Sequence, residues 1–196
     1  MFRRLALGGL FGGVVMFVWG AVSWLTLPWH HTTLLNFSDE AAVAAIISDN
    51  AQQSGMYLLP NPGKFAPGAD EAEQLRYFDD AAARMKQGPF VFVSVKREGS
   101  DPDNPAPFIL SLVTRVVAAL LMTGLVLLSA HNGYWRRVAF VTALGVLTGL
   151  MATFPSWNWW KFDSMFTLVN FADYVIQFLL AGLVIAGITG DPPESG

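Results

Sequence analysis

The chain has 196 residues, a formal net charge of −3, 53% hydrophobic residues and a mean hydropathy of +0.42. With 14% charged residues it is too apolar for an ordinary soluble domain, and the charges are clustered, as in membrane spans interrupted by a polar insert. The absence of cysteine excludes disulfides, thiolate metal sites and cysteine nucleophiles, and the acidic balance of the insert argues against a nucleic-acid partner.

Arg3 and Arg4 precede an apolar run over 5–27. A signal peptide and a retained span both begin this way, and Ala21-Val22-Ser23 resembles a small-residue cleavage site, but the run exceeds a signal core and predicts a first transmembrane helix over 1–28. Gly9, Gly13, Met16, Gly20 and Ser23 fall on one face, where Gly9-x-x-x-Gly13 lets a second helix approach closely. Trp19 and Trp24 lie in the outer half, Trp29 sits at the boundary as an interface anchor, and Pro28 marks the exit.

Residues 29–107 read as an extracytoplasmic α/β domain and linker, with eleven acids against six bases, a balance of −5. Ser38 is the expected cap of a helix over 39–48, followed by a strand over 55–59 that Pro60-Asn61-Pro62-Gly63 stops. A second helix over 69–87 carries Leu75, Phe78, Ala82 and Met85 as its apolar face, and after Gly88-Pro89 a second strand spans 90–95. Asp39-Glu40-Ala41 and Asp70-Glu71-Ala72 open the two helices alike, a hint of duplication. Two helices and two strands make a thin core, one that leans on the membrane part or on a partner. Residues 98–107 form a proline-punctuated linker.

Three further spans occupy 108–190. The second, over 108–130, has Arg115 as its one charge, on a face with Ser111, Ala118, Ala119, Met122 and Val126. A basic turn over 131–137 leads to the third, over 138–154, where Thr142, Gly145, Gly149 and Thr153 align. An aromatic turn over 155–163 contributes Trp157, Trp159 and Trp160 before the last span, 165–188, which places Asn170, Asp173, Tyr174 and Gln177 in one stripe. A carboxylate at that depth must face protein or trapped water. The expected fold is therefore mainly α: a four-transmembrane-helix bundle with a small extracytoplasmic α/β domain between helices 1 and 2. Arg3, Arg4, Arg136 and Arg137 against Lys161 put both termini, including a loosely ordered tail over 191–196, in the cytoplasm of a bacterial inner membrane.

The intramembrane polar cluster of Arg115, Asn170, Asp173, Tyr174 and Gln177 has two readings. Arg115 and Asp173 descend from the same outer surface, either as a structural ion pair that fixes helix register or as parts of a proton or ion path. His30 and His31, with Asp39 or Glu40, invite a metal reading, but adjacent histidines in an extended loop point apart, so a solvated or headgroup-level pair is expected and no metal. Trp157, Trp159 and Trp160 are expected as interface anchors in preference to a stacking site for a quinone or pigment, so no cofactor is expected. Asn36-Phe37-Ser38 matches a glycosylation acceptor, although Ser38 is already assigned as a cap. No catalytic residue is assigned, because no catalytic triad, phosphate loop or paired-histidine metalloprotease helix is discernible.

The plan resembles a group of small bacterial four-span membrane proteins with no established activity. Trp19-Gly20-Ala21-Val22-Ser23 with Leu27-Pro28, Gly55-Met56-Tyr57 with Pro60, Gly88-Pro89 and Trp157-Asn158-Trp159 carry the resemblance. It implies a fold and a membrane setting, and no catalytic residue. The leading expectation is a non-enzymatic integral membrane protein, an accessory or assembly subunit or a homo-oligomer. Its partners are membrane lipids and other membrane subunits or itself, with glycine-lined faces and a thin outer domain as unfinished contacts. A small transporter or ion-conducting protein using Asp173 and Arg115 is the alternative, and an enzyme acting on a lipid-soluble substrate ranks third.

Overall fold

The computed structural model describes residues 1–61, 63, 67–129 and 133–190. Pro62, Lys64, His131 and the tail over 191–196 lie outside them. The chain is mainly helical and divides into two compact units, Met1–Leu35 with Asp103–Gly196, and Asn36–Pro102.

The first unit holds four long helices: α1 (Phe2–Leu25), α4 (Ala106–Leu128), α5 (Tyr134–Trp160) and α6 (Ser164–Thr189). Each is long and apolar enough to cross a membrane, as in a multi-pass integral membrane protein. Small residues set the packing. A Cβ on Gly13 would lie 2.5 Å from Cα of Val116, and one on Gly9 would lie 2.2 Å from the side chain of Leu120, so α1 and α4 run antiparallel in backbone contact. Gly145 against Phe178 and Gly149 against Phe171 do the same for α5 and α6, while Gly12 meets Ile185 where α1 crosses α6. Met16, Ala119, Met122, Val126, Val141, Phe178, Ala181 and Ile185 form the shared core. Buried hydroxyls in this apolar interior are satisfied by their own helices: Thr123, Thr153 and Thr189 donate to the carbonyls of Ala119, Gly149 and Ile185.

The expected aromatic turn after Phe154 is not a turn. Helix α5 continues through Pro155 to Trp160 and ends where Lys161 adopts a left-handed conformation, φ 59°. Proline removes one N–H from the ladder, a loss that spanning helices tolerate, so the connection to α6 shortens to Lys161, Phe162 and Asp163. Tyr134 to Arg137, expected in a basic turn, likewise form the first turn of α5.

The second unit contains α2 (Glu40–Asn50), β1 (Gly55–Leu59), α3 (Glu71–Gln87) and β2 (Val91–Val95), with β1 and β2 paired antiparallel from Gly55 opposite Val95 to Leu59 opposite Val91. Asp39, not Ser38, caps α2 by accepting from the N–H of Ala42, and Asp70 caps α3 in a capping box with Glu73. The repeated Asp-Glu-Ala is thus two N-caps of one design. Leu75, Phe78 and Met85, the expected apolar face of α3, are exposed, while Ala81 is buried. A two-stranded sheet offers too little surface to cover that face.

Replacing Gly13 by alanine drives a carbon into the α4 backbone and should destabilise the bundle by about 1–3 kcal/mol. Gly124→Ala, whose added carbon meets Leu5 at 3.8 Å, should be neutral. Thermal unfolding of the detergent-solubilised protein distinguishes the two, and equal melting of both variants would contradict the packing.

Candidate functional site

Asp163 starts α6 by accepting from the N–H of Phe166 at 2.9 Å, and the hydroxyl of Thr167 donates back to its carbonyl at 2.8 Å. From that start, Asn170, Asp173, Tyr174 and Gln177 stand at helical spacing and turn inward, as the stripe requires. The Asp173 side chain is 14% exposed. Its Oδ1 accepts from the indole Nε1 of Trp19 at 2.6 Å, and its Oδ2 lies 3.7 Å from Nε2 of His30.

The chain after α1 folds back to build this contact. Trp29 Nε1 donates to the carbonyl and hydroxyl of Ser23 at 3.2 and 3.0 Å, and the Ser23 hydroxyl lies 3.0 Å from His30 Nε2. The Trp24 ring stacks on the His30 imidazole with centroids 3.8 Å apart, and Trp29 packs edge-on against both Trp19 and His30. The hydroxyls of Thr32 and Thr33 donate to the carbonyls of Trp29 and His30 and hold the short 3-10 turn His31–Thr33. The expected solvated histidine pair is therefore corrected. Because this loop is a tight turn and not extended, His30 is 1% exposed inside the knot while His31 stays outside. Trp29, expected as an anchor, is an internal donor of the same knot.

Serine, histidine and aspartate meet here without forming a catalytic triad. Both Ser23 Oγ and Asp173 Oδ2 approach the same ring nitrogen, whereas a relay needs the base held through one nitrogen and the nucleophile on the other. His30 Nδ1 is buried without a hydrogen-bond partner among the described residues. Among the described residues, no group of three His, Asp or Glu side chains is placed to hold a metal ion.

Arg115 does not pair with Asp173. Its Nη1 donates to the carbonyl and hydroxyl of Ser111, one turn back on α4, and its Nε is buried without a partner among the described residues. The expected ion pair fails because the carboxylate oxygens are already engaged by Trp19 and His30. The two charges are instead on the wall of one cavity of about 430 Å³, to which Asn170, Tyr174 and Gln177 also contribute. All five residues of the expected polar cluster thus come together, around open space. A smaller cavity of about 140 Å³ shares Asn170 and Tyr174 and reaches Ser156 and Phe162 near the α5–α6 turn. Trp157 donates to the hydroxyl of Ser164 at 3.0 Å, and Trp157, Trp159 and Trp160 are all exposed beside that turn.

Sequence reasoning missed Trp19, Trp24 and His30 as members of the site. The available signal was that Trp19, like Met16, stands one helical turn from Ser23 or Gly20 on the packing face of α1, where a lipid anchor has no place. Comparison with protein-family models, curated proteins and solved structures found no match, so the resemblance carried by the Trp-Asn-Trp and Gly-Pro motifs gains no support from them.

Burial pushes the His30 pKa below the ordinary value of 6.5 despite the opposing pull of Asp173, and neighbouring His31 pushes it the same way. The unfolded chain then takes up a proton more readily than the folded one, so the stability contributed by neutral His30 is present above pH 6.5 and is lost as pH falls through the window below it. The melting temperature of the purified protein should therefore drop on acidification from about pH 7.5 to about pH 5.5, and His30→Gln should flatten that slope. An unchanged slope in the variant would contradict this assignment.

Proposed function

We propose that this integral membrane protein is a small carrier or conducting path for protons or small ions, with Arg115 and Asp173 as oppositely charged walls of its binding chamber. The observation that supports it is that these two charges line one cavity of about 430 Å³ without pairing with each other, since a pair kept only for stability would be in contact. That volume lies in the ~300–1,000 Å³ range of small-molecule sites. Tyr174 and Gln177 make no hydrogen bond among the described residues, so their polar groups are available to a solute.

The accessory-subunit reading rested on glycine faces awaiting a partner and on a thin outer domain, whose α3 face of Leu75, Phe78 and Met85 is indeed exposed. Gly9, Gly13, Gly145 and Gly149 are filled by other helices of the same chain, and Gly20 faces the Arg115 guanidinium, so the glycine faces no longer favour that reading. In this reading the protein is non-enzymatic and multi-pass in a bacterial inner membrane. Arg3, Arg4, Arg136 and Arg137 lie on the cytoplasmic side with both termini, and the acidic α/β insert is extracytoplasmic.

Proton flux into pyranine-loaded proteoliposomes under an imposed potassium potential tests the proposal. The wild type should exceed protein-free vesicles, and Asp173→Asn should cut the flux by about ten-fold or more. Flux equal to that of empty vesicles, or unaffected by the substitution, would contradict it.

A further inference from the structure

A second cleft, of about 260 Å³, lies between α1 and α4 and meets the central cavity at Trp24 and Arg115, which contribute to both. Its walls are apolar, formed by Phe17, Trp24, Leu25 and Phe108, and its polar floor is Ser111 and Arg115. Leu25 is 75% exposed and Phe108 58%, and they stand at the last turn of α1 and the first turn of α4, so the rim of the cleft lies at these two helix ends. Gly20 is what admits the guanidinium: a Cβ there would lie 2.7 Å from Arg115 Nη2.

Among the described residues no carboxylate lies within 4.0 Å of Arg115, its Nε is unpartnered, and Asp173 lines the central cavity but not this cleft. Leaving a cation so placed unneutralised at membrane depth is costly. Side chains on a helix lean toward its N-terminus, and Arg115 indeed reaches back to Ser111, about 8 Å along the axis from the start of α4. The guanidinium therefore sits near the N-terminal end of α4, with apolar walls beside it.

We propose that this cleft binds an anionic phospholipid of the surrounding bilayer, its phosphate on the free edge of the Arg115 guanidinium and the upper part of one acyl chain along Phe17, Leu25 and Phe108. The planar fork of arginine matches phosphate oxygens, and the apolar walls replace lipid contacts that a soluble anion would not make. This inference rests on the cleft alone and stands or falls separately from ion conduction.

Native mass spectrometry of the full chain, equilibrated with equal amounts of phosphatidylglycerol and phosphatidylcholine carrying identical acyl chains, reads the preference directly. The wild type should retain phosphatidylglycerol over phosphatidylcholine by about ten-fold, and Arg115→Gln should abolish the difference. Phe108→Asp, at the exposed mouth, leaves Arg115 in place but repels the headgroup; it should also lose the preference while keeping the wild-type helix content. Equal retention of the two lipids by the wild type, or full preference in Phe108→Asp, would overturn the proposal.

Discussion

Asp173 is a carboxylate set about 14 Å into an apolar helix, and the bundle is built around its need for partners. An unpaired buried polar group costs about 1–3 kcal/mol, and a charge costs more. Trp19 and His30 meet that need, one from within α1 and the other from the turn that follows it. Both can do so only if α1 lies antiparallel beside α6 at one register, which the approach of Gly12 to Ile185 permits further down. Helix packing and polar satisfaction thus specify the same arrangement, the consistency that makes a single structure favourable.

Engaging Asp173 with an indole and an imidazole has a consequence for Arg115. Asp173, the acid that shares its cavity, is already occupied, and the arginine falls back on Ser111 of its own helix. Two opposite charges then border the same space without closing it. The polar groups of Tyr174 and Gln177 face that space too, whereas the buried threonines elsewhere in the bundle are spent on their own backbones.

Much of this was readable from residue order. The spans announce themselves by length and hydropathy, and the i, i+3, i+4, i+7 spacing of Asn170, Asp173, Tyr174 and Gln177 fixes them on one face whatever the neighbours. The glycine faces of α1 and α5 were equally plain. What periodicity does not carry is partner choice: nothing in the spacing of Arg115 and Asp173 says that a tryptophan and a histidine reach the carboxylate first. The tight turn held by Thr32 and Thr33, which buries His30, leaves no mark in the histidine spacing, and Pro155 does not end α5 because a spanning helix tolerates an internal proline. In the insert, Ser38 and Asp39 are both good caps, and only the geometry distinguishes them.

The central claim is that the space between Arg115 and Asp173 is a chamber wet enough for ions, and the cysteine-free chain offers a direct probe of it. Single cysteines placed by Ala118→Cys, on the cavity wall, and by Val117→Cys, on the exposed apolar face of α4, are to be compared for their rate of reaction with a small charged methanethiosulfonate. The reactive thiolate forms where water reaches, so the Ala118 variant should react at least about ten-fold faster than the Val117 variant. Equal or slower reaction at the cavity position would show a dry, closed interior and contradict the account.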